Sequence, residues 1–165
     1  MFNKQLQKIN IKPGGHRMSY IDKISTDVLI IGGGPSGLAT SIQLADILKQ
    51  RGQNKRILLL EKGRSIGSHI LSGAVIKPSV FKDLLPDVDI SEIPFNAKVT
   101  KDHTIFLTER STFTIPFHMP YMNNNGNYTA SLGQICKYLA VKAEEKGVKY
   151  IQVLQLMKYC TKTEK

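Results

Sequence analysis

Thr26-Asp27-Val28-Leu29-Ile30-Ile31-Gly32-Gly33-Gly34-Pro35-Ser36-Gly37 runs from an apolar, β-branched segment into a glycine-dense turn, and an amphipathic segment follows at once. This order is the strand–turn–helix arrangement of a dinucleotide-binding crossover. Gly32 permits the tight turn, Gly34 lets the backbone approach a pyrophosphate, and Gly37 lets helix and strand lie close. The N-terminus of the helix then offers free N–H groups and the positive end of its dipole to phosphates. A bare GxGxxG carries little weight, because glycine-rich turns are common. The residues around it decide its meaning.

From Leu38 to Gln50, apolar residues Leu38, Ile42, Leu44, Ala45, Ile47 and Leu48 recur at helical spacing. Gly52 stops this helix, Gln53 to Lys55 form a polar connection, and Arg56-Ile57-Leu58-Leu59-Leu60 reads as a second, buried strand. Glu61 ends that strand 24 residues after Gly37. A carboxylate at that point can accept both hydroxyls of an adenosine ribose, and it disfavours the 2′-phosphate of NADP. Taken alone, Glu61 also fits an ordinary polar strand end. Glycines and acid together indicate a dinucleotide but do not separate FAD from NAD.

Lys62-Gly63-Arg64-Ser65-Ile66-Gly67-Ser68-His69-Ile70-Leu71-Ser72-Gly73-Ala74-Val75-Ile76 resembles the "EKG…G.H.LSGA…P" stretch of electron-transfer flavoprotein:ubiquinone oxidoreductases. Phe106-Leu107-Thr108-Glu109, Pro120-Tyr121-Met122-Asn123-Asn124-Asn125-Gly126-Asn127-Tyr128 and Ser131-Leu132-Gly133 resemble the same family in the same order. The likeness runs from about Thr26 to Val148. It implies an FAD enzyme that takes electrons from reduced electron-transfer flavoprotein and passes them through flavin and a [4Fe–4S] cluster to ubiquinone. It also implies a monotopic protein, peripheral on the cytoplasmic side of a bacterial inner membrane or on the matrix side of the mitochondrial inner membrane. The candidate cofactor-binding residues are then Gly32, Gly34, Pro35, Ser36, Gly37, Glu61, Lys62, Ser72, Gly73 and Ala74. Ser72, Gly73 and Ala74 are assigned to the flavin neighbourhood by the resemblance, and their small size suits a tight turn equally well. His69 is read as a structural residue rather than a ligand. No catalytic acid, base or nucleophile is assigned, since in such electron transfer the cofactors carry the chemistry.

Length and cysteine count bear on the whole activity. The chain has 165 residues, enough for one modest core. A [4Fe–4S] cluster normally takes four thiolates. Only Cys136 and Cys160 are present, so this chain by itself ligates no cluster and is expected to be inactive alone. Neither cysteine suggests a disulfide framework, which fits a reducing compartment. After Gly147-Val148 the family would continue roughly "-IYPGFAA-EVLY-", whereas this chain reads Tyr150-Ile151-Gln152-Val153-Leu154-Gln155-Leu156-Met157-Lys158-Tyr159-Cys160-Thr161. Back-translation with a one-nucleotide shift yields Ile-Tyr-Pro-Gly-Phe-Ala-Ala-Asn-Glu-Val-Leu-Tyr-Lys-Asn-Gly. The expectation is a change of frame near Lys149 and an out-of-frame tail.

Residues 1–17 hold Lys4, Lys8, Lys12 and Arg17 and no acid. Such a start fits either a transit peptide or an upstream extension before a true start at Met18, and the scarcity of Ser and Arg favours the extension. The net charge is +10, of which residues 1–17 contribute +4 and residues 151–165 contribute +2, leaving +4 on the family-like core. That is a mildly basic domain without a nucleic-acid footprint, compatible with a membrane surface or an acidic partner. No apolar run approaches the ~20 residues of a spanning helix.

In the middle of the chain, Pro78 to Leu85 reads as a short helix and Asp87 to Ala97 as a loop. Thr104–Thr108 and Thr112–Pro116 read as two strands around a polar turn at Glu109 to Ser111. Phe106, Phe113, Phe117 and Tyr121 are expected mostly in core packing, with a quinone tail as the alternative. Asn123 to Asn127 is a turn by composition. Ser131 to Lys146 is a helix with Ser131 as N-cap candidate and Gly147 as its stop, and Val148 opens a further strand.

The fold class is therefore α/β, an incomplete Rossmann-like FAD-binding domain with a β-rich insertion. Its expected parts are an N-terminal extension (1–25), an FAD-binding βαβ unit (26–77) and an insertion beginning the quinone region (78–128). A second helix–strand unit (129–149) and the tail (150–165) follow. Three readings stand: a quinone oxidoreductase fragment retaining the adenosine-diphosphate half of the FAD site, a non-functional truncated product, and a flavoprotein of the geranylgeranyl-reductase-like group.

Overall fold

A computed structural model describes residues 24–117 and 122–152. The Val28–Ile31 run forms strand β1, and its glycine turn leads into helix α1 (Pro35–Gln50). Gly52, at φ +62°, lets the chain leave α1, and Ile57–Glu61 forms β2. Helix α3 (Leu132–Glu145) is released by Gly147 at φ +86° into β8 (Lys149–Gln152). At that exit the Val148 N–H donates to the Ala143 carbonyl at 3.0 Å, satisfying an end-of-helix acceptor.

The three strands make a parallel sheet in the order β1-β2-β8. Val28 is opposite Ile57 and Ile31 opposite Leu60, while Leu58 is opposite Lys149 and Glu61 opposite Gln152. The central strand explains its own composition, since four successive residues, Ile57 to Leu60, are buried as expected of a strand covered on both faces. Ile57 and Leu59 join Leu38, Ile42, Ala45, Ile135, Cys136, Leu139 and Val148 in the main core under α1 and α3. Leu58 and Leu60 meet Leu29 and Ile151 on the opposite face. Ser41, fully buried in α1, donates to the Leu38 carbonyl at 2.7 Å.

A second, antiparallel sheet has the order β3-β7-β4, from β3 (Gly73–Ile76), β7 (Tyr128–Ser131) and β4 (Phe95–Lys98). Helix α2 (Ser79–Leu84) and a 3₁₀ turn (Ile90–Glu92) link β3 to β4. The loop expected over Asp87 to Ala97 is thus corrected, because its end is a strand. Phe95 pairs with Ala130, stacks on Tyr128 at 4.7 Å and meets Phe81 edge-on at 5.5 Å. These tertiary contacts override a local sequence with little strand character. The sheet joins β3 to β7 and β7 to β4, so strands on either side of residues 77 and 128 are hydrogen-bonded neighbours.

Among the described residues, strands β5 (Thr104–Leu107) and β6 (Thr112–Ile115) pair only with each other. The hairpin's tip is closed by Thr108 and Ser111, whose hydroxyls lie 2.8 Å apart. At its root the Asp102 carboxylate accepts the Asn124 backbone N–H at 3.0 Å and its side-chain amide at 2.9 Å. The expectation that the aromatic residues here pack into the core fails for three of them. Phe106, Phe113 and Phe117 are 52%, 54% and 63% exposed, because no described element covers the hairpin. Tyr121 lies outside the described residues.

The helix expected from Ser131 begins one residue later. Ser131 stands at the N-cap position, but it also ends β7 and its hydroxyl makes no capping bond. Tyr150, Ile151 and Gln152, the first residues of the expected tail, complete β8 against Leu59, Leu60 and Glu61. The remainder of that tail, Cys160 included, and residues 1–23 lie outside the described residues.

Candidate functional site

The parallel strands end at the glycine turn. Gly32 holds φ +105°, where a side chain is strained, and its N–H donates to the Leu60 carbonyl at 2.7 Å, fixing the turn to β2. A Cβ on Gly37 would collide with the Gly32 carbonyl oxygen and lie 3.5 Å from Ile30 Cγ2. Gly34 occupies the N-cap of α1 at φ −81°, and a Cβ there would meet nothing within 4 Å. Pro35 starts the helix, no side chain caps it, and no acid lies in its first turn. Backbone donors and the positive dipole end are therefore left to an incoming anion.

Glu61 stands beside this turn at the end of β2. One carboxylate oxygen accepts the Gly33 N–H at 2.7 Å, and the other accepts the Gly63 N–H at 2.6 Å. Both are charge-assisted bonds that fix the carboxylate's orientation. Each oxygen keeps acceptor capacity beyond its single amide bond. Below it, Cys136 is wholly buried, and burial, reinforced by the Glu61 charge, pushes its thiol pKa up. Cys136 is therefore held as a neutral, inert core residue.

The structure thus brings Gly32, Gly34, Pro35, Ser36, Gly37 and Glu61 together, with Lys62 exposed next to them. Ser72, Gly73 and Ala74 stand on the other sheet or at its entry. Ser72 and Gly73 are exposed, and Ala74 is opposite Ala130. A Cβ on Gly73 would lie 3.3 Å from the Ala130 carbonyl, so close strand approach accounts for that glycine by itself. His69 is exposed.

Two glycines outside the sequence pattern matter equally. A Cβ on Gly33 would run into Ile66 Cδ1 and sit 3.0 Å from the Glu61 carboxylate. A Cβ on buried Gly63 would lie 2.7 Å from Ser68 Oγ and 3.0 Å from the other Glu61 oxygen. The one signal in the sequence was Gly33, the middle of three consecutive glycines, since a GxGxxG turn leaves that position free. Among the described residues, no group of three or more His, Cys, Asp or Glu side chains is placed to hold a metal ion.

Residues 30–86 match the NAD(P)-binding Rossmann-like domain family. The chain is 41% identical over 127 residues to the mitochondrial electron transfer flavoprotein-ubiquinone oxidoreductase of Dictyostelium discoideum, covering 77% of this chain and 21% of that protein. Its identity to the Mus musculus protein of the same name is 40% over 124 residues, with coverages of 74% and 20%. For the Pseudomonas aeruginosa electron transfer flavoprotein-ubiquinone oxidoreductase it is 41% over 125 residues, with coverages of 74% and 23%. The chain spans about a fifth of the length of these curated relatives. Among solved structures, a geranylgeranyl bacteriochlorophyll reductase-like protein of Thermoplasma acidophilum is similar with a TM-score of 0.52 and 24% identity, over 76% of this chain and 29% of that one. The flavin-dependent brominase Bmp2 is similar with a TM-score of 0.51 and 22% identity, at the same coverages. These two likenesses speak for the Rossmann-like fold alone.

Proposed function

From a chain that belongs by sequence with the electron transfer flavoprotein-ubiquinone oxidoreductases, over about a fifth of their length, we infer a flavoprotein segment that holds the adenosine-diphosphate half of FAD. The supporting observation is the uncapped start of α1, open at Gly34, beside a carboxylate fixed by two backbone amides. The pyrophosphate is placed against the first turn of α1. The ribose hydroxyls are placed on the remaining acceptor positions of Glu61, and exposed Lys62, the next residue, is assigned to the same cofactor site. Ser72, Gly73 and Ala74 are assigned to the flavin neighbourhood by the family likeness. Bound FAD would supply the electron-carrying chemistry, and these residues bind and orient it.

A titration of the 165-residue chain with ADP, FAD and NADP, followed by thermal melting, tests this reading. ADP and FAD at about 100 times their dissociation constants are expected to stabilise the chain by about 2.7 kcal/mol, and NADP by less. A colourless protein whose melting is unmoved by either ligand would remove the assignment.

In the whole protein, the proposed route takes electrons from electron-transfer flavoprotein to ubiquinone. A [4Fe–4S] cluster does not fit the residues here, because Cys136 and Cys160 are two thiols where four are needed. No step through a cluster is assigned to this chain, and quinone reduction by the 165 residues alone is expected to be absent.

A membrane surface is the proposed neighbour, on the cytoplasmic side of a bacterial inner membrane or the matrix side of the mitochondrial one. Among the described residues no helix is long and apolar enough to cross a membrane. The β5–β6 hairpin instead exposes Ile105, Phe106, Leu107 and Phe113, with the Phe106 and Phe113 rings 5.0 Å apart. Such a patch marks an interaction surface. Phe106→Ser with Phe113→Ser is expected to weaken sedimentation with phospholipid vesicles at least tenfold, since each buried phenyl contributes ~1.5–3 kcal/mol. Unchanged vesicle binding would remove the hairpin from the contact.

A further inference from the structure

We propose that Gly67 and Gly133 form a backbone-on-backbone seat that holds Glu61 in its ligand-binding orientation, an inference that rests on the reading of Glu61 as the ribose acceptor. The chain after Glu61 is fastened at three points. Gly63 donates its N–H to the Glu61 carboxylate, and the buried Ile66 side chain lies against Gly33. Gly67 lies directly on the first turn of α3. A Cβ on Gly67 would sit 2.6 Å from the Gly133 carbonyl oxygen and 3.1 Å from Gly133 Cα. In the reverse direction, a Cβ on Gly133 would sit 3.2 Å from the Gly67 carbonyl and 3.6 Å from that of Ile70.

Between these points the segment is stiff. Ser68 N–H donates to the Ser65 carbonyl at 3.1 Å, and Ile70 N–H donates to the Gly67 carbonyl at 3.2 Å. Gly67 itself stands at φ +79°. A Cβ on Gly67 meets backbone that cannot rotate away, and a Cβ on Gly133 needs the Gly67 carbonyl to give way by a few tenths of an ångström. Gly67 must lift off α3, and the turn carries Ile66 away from Gly33 and Gly63 away from Glu61. The carboxylate then keeps only its Gly33 amide and loses its fixed rotamer. Gly67 and Gly133 act here as positioning residues, through the backbone they hold against each other.

Gly133→Ala separates positioning from mere structural need, because alanine is the better helix former. The variant is expected to stay folded with α3 intact, and only the turn over residues 63–67 is loosened. Its Gly63 amide should nevertheless exchange hydrogen about tenfold faster, and its ADP affinity should fall about tenfold, the scale of losing one charge-assisted bond. Gly67→Ala should give the same two changes. Gly126→Ala is the control for strain alone, since Gly126 also has positive φ (+86°) but a Cβ there meets nothing within 4 Å. It should leave the Gly63 amide as protected as in wild type. Wild-type protection of Gly63 in both Gly133→Ala and Gly67→Ala would overturn the seat, whatever the ligand data. Wild-type chain that binds no ADP would instead overturn the ribose reading, and the exchange data would still decide the seat.

Discussion

Gly37→Ala is expected to abolish ADP and FAD binding and to destabilise the chain by at least ~1–3 kcal/mol, the usual cost of overpacking. The new methyl group would collide with the Gly32 carbonyl and lie 3.2 Å from its carbon. These are backbone atoms of a turn already fixed by the 2.7 Å bond from Gly32 N–H to Leu60, so no side chain can rotate away to relieve the contact. Either α1 slides outward or the turn opens, and both move the first-turn amides off the pyrophosphate position. Gly34→Ala supplies the contrast. Its φ of −81° suits alanine and its Cβ meets nothing, so the chain should melt normally while the methyl group occupies the space proposed for the ligand. Calorimetric ADP titration and thermal melting of the pair read both effects. Full ADP binding by Gly37→Ala would overturn the close-packing role of that glycine.

Glu61→Gln carries the second large effect. Two backbone N–H groups now share one carboxylate, Gly33 on one oxygen and Gly63 on the other. An amide side chain offers one oxygen and one NH₂. Whichever way it turns, one of the two glycine donors faces another donor and goes unsatisfied, and Gly63 is buried. That costs ~1–3 kcal/mol of stability. The ribose also loses an anionic acceptor, so ADP affinity should drop about 10- to 100-fold further than the melting temperature alone would suggest. A variant with wild-type ADP affinity would dissociate Glu61 from the ribose.

The parts of this architecture legible in the sequence are those whose causes are local. β2 announces itself through four consecutive apolar residues, α1 through its spacing, and the exits of α1 and α3 through Gly52 and Gly147. The regular geometry of a βαβ unit then places Glu61 beside the turn, although 28 residues separate it from Gly33. Strands β3, β4 and β7 have no comparable local signal. Gly73-Ala74 reads as a turn until Ala130 is opposite it, and Phe95 reads as loop until Tyr128 and Phe81 receive its ring. The Gly67–Gly133 contact is likewise invisible along the chain, because each glycine is explained only by the backbone of the other. The aromatic hairpin misled for a related reason: its residues have core composition, but among the described residues its strands pair with no other strand.

The central position of β2 has a consequence in time. Its first partner, β1, lies just before it in the chain, so the β1–α1–β2 unit closes through short loops. Its second partner arrives late, since Leu58 pairs with Lys149, 91 residues further on. Loop-closure entropy makes such pairing slow, and until β8 docks the outer edge of Ile57-Leu58-Leu59-Leu60 offers unpaired N–H and C=O groups along an almost wholly apolar strand. During synthesis, therefore, the segment that later forms the middle of the sheet is open to wrong partners, and the chain's yield of folded protein depends on how fast β8 reaches it.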